Sequence, residues 1–154
     1  MADRSDKRGI GGLILNAPTI YPFVSGDVRC SVTTYKNNGT LAVELHAPLD
    51  LPEFPPGMDP YQKWFATVTL NLSGSAELPP DIQFVDERDC PGIARWLTEH
   101  DIAHPVGLIE YFENWPFEAF RFNLSKKEYD LVYRMRQEAL VRENRKQHTK
   151  DSNH

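Results

Sequence analysis

The strongest constraint on the fold of this chain is the segment of 19 residues from Val28 to His46, which contains Asn38-Gly39. On either side of this dipeptide, Val28 to Tyr35 and Leu41 to His46 alternate between apolar and polar side chains. Alternation with a period of two is typical of strands with one buried face. Asn-Gly favours a tight hairpin turn, because both residues tolerate the positive φ that the turn requires. The segment therefore predicts two antiparallel strands joined at Asn38-Gly39.

Three further strands are predicted downstream of the hairpin. Trp64 to Leu72 alternates as regularly as the hairpin does, and Ile82 to Val85 is a short apolar run after the break at Pro79-Pro80. Ala119 to Leu124 predicts a last short strand. Between the hairpin and the third strand, residues 47–61 contain five prolines and predict a long loop. We expect Trp64 to Leu72 to lie beside the hairpin, antiparallel and in the same sheet.

Two helices complete the predicted fold. The first is expected from Cys90 to His100, with Asp89 as its N-cap and Pro91 in its first turn, where a missing N–H costs nothing. Its predicted buried stripe consists of Ile93, Trp96 and Leu97.

The start of the second helix is predicted from Ser125 and Glu128, which have the spacing of a capping box. It is predicted to reach residue 147, with apolar residues along one side at Tyr129, Val132, Tyr133 and Leu140.

These elements predict an α+β fold: a small antiparallel sheet built on the Asn-Gly hairpin and covered by one or two helices, plus a C-terminal helix. The predicted organisation is a flexible N-terminal lead-in over residues 1–27, with an irregular stretch or short edge strand inside it, and a core domain over residues 28–124. The helix follows over residues 125–147, and a disordered tail over residues 148–154. No apolar run approaches the length of a membrane span, and no signal-peptide segment is recognisable, so we expect a cytoplasmic protein.

Charge is distributed unevenly along the chain. Residues 44–118 contain 14 acidic and three basic side chains, a net charge of −11, whereas residues 119–154 carry a net charge of +4. A strongly acidic body repels nucleic acid and attracts basic partners. Direct binding of nucleic acid is therefore not expected, and the partner is expected to be the basic surface of another protein.

An ordered set of short segments gives the chain a likeness to a known family. They are Tyr35 with Asn38-Gly39 and Leu41-Ala42, then residues 65–72, Leu78-Pro79-Pro80, Phe84-Val85-Asp86, Asp89-Cys90-Pro91, Ile102-Ala103 with Pro105 and Gly107, and Phe120-Arg121-Phe122. Over residues 28–122 the chain resembles an uncharacterised family of small proteins encoded by phages, plasmids and other bacterial mobile elements. The long proline loop, the N-terminal lead-in and the basic C-terminal helix depart from the family pattern. The resemblance implies a fold and a bacterial host cell, and it implies no chemistry.

Residues 110–118 hold the best candidate for a binding surface. Four aromatic residues lie there among three acidic ones, a composition typical of an interface core with an acidic rim. The alternative is that the rings simply cover the sheet. With the acidic turn before the first helix, the predicted partner-binding residues are Asp86, Glu87, Asp89, Glu110, Tyr111, Glu113, Trp115 and Glu118.

Catalytic and metal sites find less support. Residues 86–89, with His100 and His104 nearby, fit no known ligand spacing, so neither a metal nor another cofactor is predicted. Cys90, at a predicted helix N-terminus, lies a helix length from both histidines, and Cys30 falls on the inward face of a strand, so no nucleophile is predicted. The arginines of the C-terminal helix alternate with glutamates, which favours a solvated helix or one that folds back on the acidic body.

Three classes of function follow. The first is a binding protein that inhibits a bacterial defence nuclease complex, of the anti-CRISPR or antirestriction type, with its acidic face in the role of a nucleic-acid mimic. The second is an accessory interaction protein of a mobile element, without inhibitory activity. The third is a small metal-dependent hydrolase. The first is the preferred hypothesis, and it is not an enzyme.

Overall fold

Eight strands and two helices make up the described part of the chain, which in this computed structural model is residues 9–19, 21, 26–49 and 53–152, with side chains as far as residue 146. The strands are β1 (Ile14–Asn16), β2 (Asp27–Thr34), β3 (Leu41–Ala47), β4 (Lys63–Thr67), β5 (Thr69–Leu70), β6 (Ile82–Val85), β7 (Ala103–Phe112) and β8 (Trp115–Phe122). The helices are α1 (Ile93–Glu99) and α2 (Lys126–Ser152), and a single 3-10 turn covers Ser75–Glu77.

The strands form two antiparallel sheets of four strands each. The first sheet has the order β1-β2-β3-β4, and the second has the order β5-β6-β8-β7. The predicted α+β class, with its C-terminal helix, is confirmed. The predicted elements of the sheet are divided between two sheets, because the chain turns from one into the other after β4.

The predicted Asn-Gly hairpin is present, with β2 and β3 antiparallel. Cys30 lies opposite Leu45, and the turn closes through hydrogen bonds between Tyr35 and Thr40 and between Gly39 and Tyr35. Gly39 has a φ of +71°, and a Cβ at this position would lie 2.4 Å from the carbonyl oxygen of Met135 in α2. Glycine is therefore required here twice, once for the positive φ and once for the close approach of the helix.

The third predicted strand, Trp64 to Leu72, is two strands in two sheets. β4 pairs with β3, β5 pairs with β6, and Val68 lies between them. The Val68 N–H donates to the carbonyl of Val43 at 2.9 Å, and the Val68 carbonyl accepts from the N–H of Asp86 at 2.8 Å. One residue thus closes a hydrogen bond into each sheet.

The main hydrophobic core lies between the two sheets, α1 and α2. Its fully buried members include Leu45, Val68, Leu97 and Phe122. A smaller core on the opposite face of the second sheet packs Phe84 and other residues under the 3-10 turn. Ile93, Trp96 and Leu97 form the buried stripe of α1 as predicted.

The proline loop is held at its base by polar contacts. Arg29 of β2 forms a salt bridge with Asp59 and donates to the carbonyl of Tyr61 at 3.0 Å. The N–H of Tyr61 donates to the same Asp59 carboxylate at 2.9 Å. No helix or strand occurs in the described residues 48–49 and 53–62, in agreement with the predicted loop.

The lead-in contains β1, which pairs with β2 as an edge strand, so the predicted short edge strand is present. Ile10 is buried in the main core, so residues 9–19 are attached to the body and do not form the flexible segment predicted over residues 1–27. The prediction for residues 1–8, 20 and 22–25 lies outside the described residues.

The attachment depends on Glu128 in the first turn of α2. This carboxylate accepts the N–H of Ile10 at 3.1 Å, of Gly11 at 2.6 Å and of Ser125 at 2.8 Å. The N–H of Glu128 donates to the Ser125 hydroxyl at 3.1 Å, so the predicted capping box is present. The sequence pattern gave no sign that the same glutamate would also bind the lead-in.

Helix α2 folds back on the body through part of the predicted stripe. Tyr129 and Val132 of that stripe pack in the main core and Ala139 is also buried, whereas Tyr133 and Leu140 of the stripe are exposed. Arg136 donates to the carbonyls of Ala76 and Leu78 instead of facing solvent. The helix continues to Ser152, past its predicted end, and residues 153–154 of the predicted tail lie outside the described residues.

We expect Glu128→Ala to lower the free energy of unfolding by about 2–3 kcal/mol, because it leaves the backbone N–H groups of both the lead-in and the helix start without their acceptor. Chemical denaturation measures this loss, and faster hydrogen exchange at Ile10 and Gly11 would localise it. The control is Glu138→Ala on the exposed part of α2, expected within about 0.5 kcal/mol of wild type. Equal effects of the two substitutions would contradict the anchoring role of Glu128.

Candidate functional site

Residues 101–118, which the sequence pattern left without a clear assignment, form most of the longest hairpin of the described fold. β7 and β8 are joined by a two-residue turn at Glu113 and Asn114, which have φ angles of 51° and 63°. Two successive positive φ values are typical of the type I′ hairpin turn. Asn114 is the residue in the sequence that favours this turn. The turn was not predicted because its other residue is Glu113, and glutamate is unusual at positive φ. The predicted last strand, Ala119 to Leu124, is the second half of β8.

β7 lies at the edge of the second sheet, and its register against β8 shifts between Pro105 and Ile109. A proline and a bulge protect the first half of an edge strand against further pairing. The second half, from Leu108 to Phe112, has no such protection apart from Glu110.

The outer half of the hairpin exposes large apolar side chains. Tyr111 is 71% exposed and Trp115 is 41% exposed. The full set of large apolar residues exposed on the hairpin is Val106, Leu108, Ile109, Tyr111, Phe112 and Trp115. Tyr111 lies opposite Pro116 and Phe112 lies opposite Trp115, so both faces of the hairpin end are apolar. The two aromatic residues predicted to bind a partner, Tyr111 and Trp115, are therefore both exposed, on opposite faces of the hairpin end.

Three of the predicted acidic residues bind the backbone of their own chain. Glu110 accepts from the N–H of Gly74 at 3.0 Å and from the Ser73 hydroxyl at 3.1 Å, which ties β7 to the turn after β5. Glu87 accepts from the N–H groups of Gly92 at 2.6 Å and Ala94 at 2.9 Å.

Glu87 therefore satisfies the start of α1, a role that the sequence pattern had assigned to Asp89. The helix begins later than predicted, at Ile93, after Gly92 with a φ of 89°. Asp89 is not its N-cap, because the chain makes a further turn between Asp89 and the helix. Within that turn, the N–H of Asp89 donates to the Asp86 carboxylate at 3.0 Å.

Asp86 is the third acid that binds the backbone of its own chain, and it is buried. Burial raises the pKa of this carboxyl above its usual value, against the opposing effect of the hydrogen bond from the Asp89 N–H. Its backbone N–H binds Val68, so Asp86 holds the turn at the point where β6 ends.

Of the remaining predicted acids, Asp89 and Glu113 are exposed and Glu118 is half-buried. Arg88 lies between two of them, with its side-chain nitrogens 3.8 Å from the Asp89 carboxylate and 3.4 Å from the Glu113 carboxylate. The Arg88 guanidinium also lies 5.3 Å from the ring centre of Phe117. Glu118 forms no ion pair with any residue that the structure describes.

A small cavity opens between α1 and the hairpin. Its volume is about 240 Å³, and apolar side chains make up most of its wall. Glu87 and Glu118 are the two acidic residues that line it. The cavity thus lies between two acids of the predicted site: Glu87, which binds backbone N–H groups, and Glu118, which binds none among the described residues.

The groups considered for catalysis are not brought together. His100 bonds to the carbonyl of Trp96 at 2.9 Å, and His104 pairs with Asp101 at 2.5 Å. Among the described side chains, no group of three histidine, cysteine, aspartate or glutamate residues could hold a metal ion. The third hypothesis, a metal-dependent hydrolase, therefore has no candidate site within that part of the chain.

Both cysteines are buried thiols. Burial raises the pKa of the Cys30 thiol to about 12, and burial also raises the pKa of Cys90. Cys90 accepts a hydrogen bond from the Tyr21 hydroxyl at 2.9 Å. A buried thiol with a raised pKa lacks the thiolate that nucleophilic attack requires.

Of the helices in the described residues, α2 has the length of a membrane span but not the apolar character, and α1 has neither. Comparison with protein families, with curated proteins and with solved structures finds no match to this chain.

We expect Asp86→Ala to lower the free energy of unfolding by about 1–2 kcal/mol, because the Asp89 N–H loses its acceptor. Asp86→Asn keeps that acceptor and is expected to stay within about 1 kcal/mol of wild type at pH 7. Because the pKa of Asp86 is raised in the folded state, the carboxyl is unfavourable when ionised. Wild type should therefore gain stability relative to Asp86→Asn as the pH falls through this raised pKa and toward 3.8. Denaturant titrations from pH 3.5 to 7 test this, and the opposite slope would contradict it.

We expect both cysteines to resist alkylation in the folded protein. A rise of one pKa unit already lowers the thiolate fraction about tenfold, and burial adds a steric barrier. Mass spectrometry after treatment with iodoacetamide at pH 8 should show labelling at least about tenfold slower than in denatured protein. Rapid labelling of Cys90 in the native state would return this residue to consideration as a nucleophile.

Proposed function

We propose that this chain is a protein-binding protein that captures a basic partner through the β7–β8 hairpin. We further propose that the partner belongs to a bacterial defence nuclease complex, whose activity the chain inhibits in the bacterial cytoplasm. The observation that carries the proposal is the exposure of large apolar side chains at one hairpin end, Tyr111 and Trp115 among them.

Exposed apolar surface of this kind supports a docking role. Single exposed apolar residues are normal on proteins, but a group of them at one place is typical of an interaction site. Tyrosine and tryptophan are also the residue types that most often dominate the binding energy of an interface. The end of the hairpin supplies such side chains on both faces, with Phe112 and Trp115 on one face and Tyr111 on the other.

The acidic rim supports a basic partner. Asp89, Glu113 and Glu118 surround the apolar hairpin end, and residues 44–118 as a whole carry a net charge of −11. Charges at the rim of an interface steer association and reject partners of like charge. A symmetric pair of these hairpins would bring the same acids together, which favours a different protein as the partner over a second copy.

A defence nuclease fits this chemistry because it grips nucleic acid with arginine and lysine side chains. The geometry supports contact with such a surface more than a copy of the phosphate array. Asp86, Glu87 and Glu110 bind their own backbone, and Arg88 sits between two of the remaining acids. We therefore propose an apolar centre that provides most of the affinity, with the acids providing selectivity.

The hairpin is tested with Tyr111→Ser/Phe112→Ser/Trp115→Ser. Loss of a dominant aromatic contact costs about 2 kcal/mol or more, which corresponds to roughly 30-fold in affinity for each residue. We expect the triple variant to fold, by circular dichroism, and to lose protection of phage in plating assays on strains that carry restriction or CRISPR systems. The matched control is Tyr133→Ser/Leu140→Ser, which removes exposed apolar residues from α2 and should protect as wild type does.

Two outcomes would contradict parts of the proposal. If wild type protects phage against none of the systems but the hairpin still captures a host protein, inhibition is wrong and an accessory interaction role takes its place. If sedimentation shows a dimer that the triple variant abolishes, the partner is a second copy and the basic partner is wrong.

The rim is tested separately with Asp89→Asn/Glu113→Gln/Glu118→Gln. These three acids are chosen because reversing Asp86, Glu87 or Glu110 would remove backbone contacts and damage the fold. We expect slower association and a weaker salt dependence of binding, with a smaller effect on dissociation. Association that is unchanged between low and physiological salt in wild type would contradict the role of the acids.

A further inference from the structure

The cavity between α1 and the hairpin has the features of a receptor for one side chain. Its apolar wall includes Ile109, Pro116 and Phe120, and Val85 and Phe120 are almost fully buried. Glu118 and Pro116 alternate with the buried Phe117 and Ala119 along β8, so they share the face that α1 only partly covers. The cavity is thus adjacent to the apolar hairpin end.

We propose that this cavity receives one arginine side chain of the partner, with the aliphatic stem among Ile109, Pro116 and Phe120 and the guanidinium at the Glu118 carboxylate. The inference rests on the proposed function, because it assigns to the partner's basic surface a definite anchor residue. The inference also goes beyond the proposed function, because it predicts which residue type the partner's surface must present.

The size of the cavity selects a single side chain. Pockets for small-molecule ligands commonly measure about 300–1,000 Å³, and this cavity, at about 240 Å³, lies below that range. An extended side chain that enters from the protein surface fills such a space without the rest of its chain.

The two carboxylates select a cation. Both Glu87 oxygens are engaged by the N–H groups of Gly92 and Ala94, so Glu87 contributes negative charge but little free bonding capacity. Glu118 is half-buried and forms no ion pair within the described residues, so its oxygens are available to a donor from outside. A carboxylate beside apolar walls binds a cation more strongly than one surrounded by water.

Arginine fits better than lysine for two reasons. Its planar guanidinium donates two parallel hydrogen bonds to one carboxylate, and it sheds water more readily than an ammonium group. A guanidinium can also stack on an aromatic ring such as Phe120, whereas the ammonium of lysine is a compact and strongly hydrated charge.

The test uses the full chain, labelled with ¹⁵N, and titrates it with N-acetyl-arginine methylamide. We expect the amide signals of Ala94, Ile109 and Glu118 to shift together with a millimolar dissociation constant. The neutral isostere N-acetyl-citrulline methylamide and the lysine analogue should bind at least about tenfold more weakly, the factor that loss of one charge-assisted contact produces.

Two variants locate the site, and a third controls for charge. Glu118→Gln should weaken arginine binding about tenfold or more, and Ala94→Leu should remove it by filling the cavity. Glu138→Gln removes the same charge from an exposed position of α2 and should leave arginine binding unchanged. Equal binding of citrulline or of the lysine analogue, equal affinity of Glu118→Gln, or shifts outside the cavity would overturn the inference.

This result is separable from the test of the hairpin. If arginine does not bind but the serine variants still lose partner capture, the cavity inference is wrong and the binding function stands. If arginine binds in the cavity but the serine variants capture their partner normally, the arginine site stands and the hairpin is not the main contact.

Discussion

The fold depends on the hydrogen bonds of a single buried residue. Val68 donates its N–H to the carbonyl of Val43 in the first sheet, and its carbonyl accepts the N–H of Asp86 beside the second, so one residue is bonded to both sheets. The next residue extends the link, because the Thr69 hydroxyl accepts the N–H of Val43 at 3.1 Å and contacts the Tyr35 hydroxyl. In a buried position such backbone groups have no water to replace a lost partner. The angle at which the second sheet leaves the first is therefore fixed by the backbone.

The β7–β8 hairpin lies on the side of the second sheet away from this junction. The second sheet is tied to the first at its β5 end, with a further contact from the buried Gln83 side chain, which donates to the carbonyl of Leu41 at 2.8 Å. β7 lies at the far edge, and α1 is only seven residues long. A helix of that length encloses the cavity with Ile109 and Pro116 and leaves Tyr111, on the same face, 71% exposed. Phe112 and Trp115 are exposed on the opposite face, where Glu110 binds the turn after β5.

The sequence predicts those elements whose stabilising contacts lie within the same short segment. It does not predict those whose shape depends on contacts with distant segments of the chain. The Asn38-Gly39 turn and the Ser125–Glu128 capping box were predicted because each is closed by neighbouring residues. The division of Trp64 to Leu72 into two strands was missed, since both halves alternate and only the distant partners of Val68 separate them. The Glu113–Asn114 turn was missed because it lacks glycine, and with it the hairpin that exposes the candidate site. The aromatics were identified by composition, but their exposure depends on what fails to cover them.

Acidic residues illustrate the same limit and change what the net charge means. Of the six acids predicted to form a binding face, Asp86, Glu87 and Glu110 saturate backbone N–H groups, a use of carboxylates that no charge count reveals. Fewer carboxylates are therefore free to bond with a partner at the hairpin than the sequence implies, and Arg88 lies 3.8 Å and 3.4 Å from two of the remaining ones. Because the engaged carboxylates keep their charge, the hairpin still attracts cations. The free carboxylates are then available to select the charge of a side chain that binds beside an apolar surface. This geometry therefore favours an interface in which the aromatic side chains of the hairpin provide the affinity and Glu118 provides the selectivity for a cation.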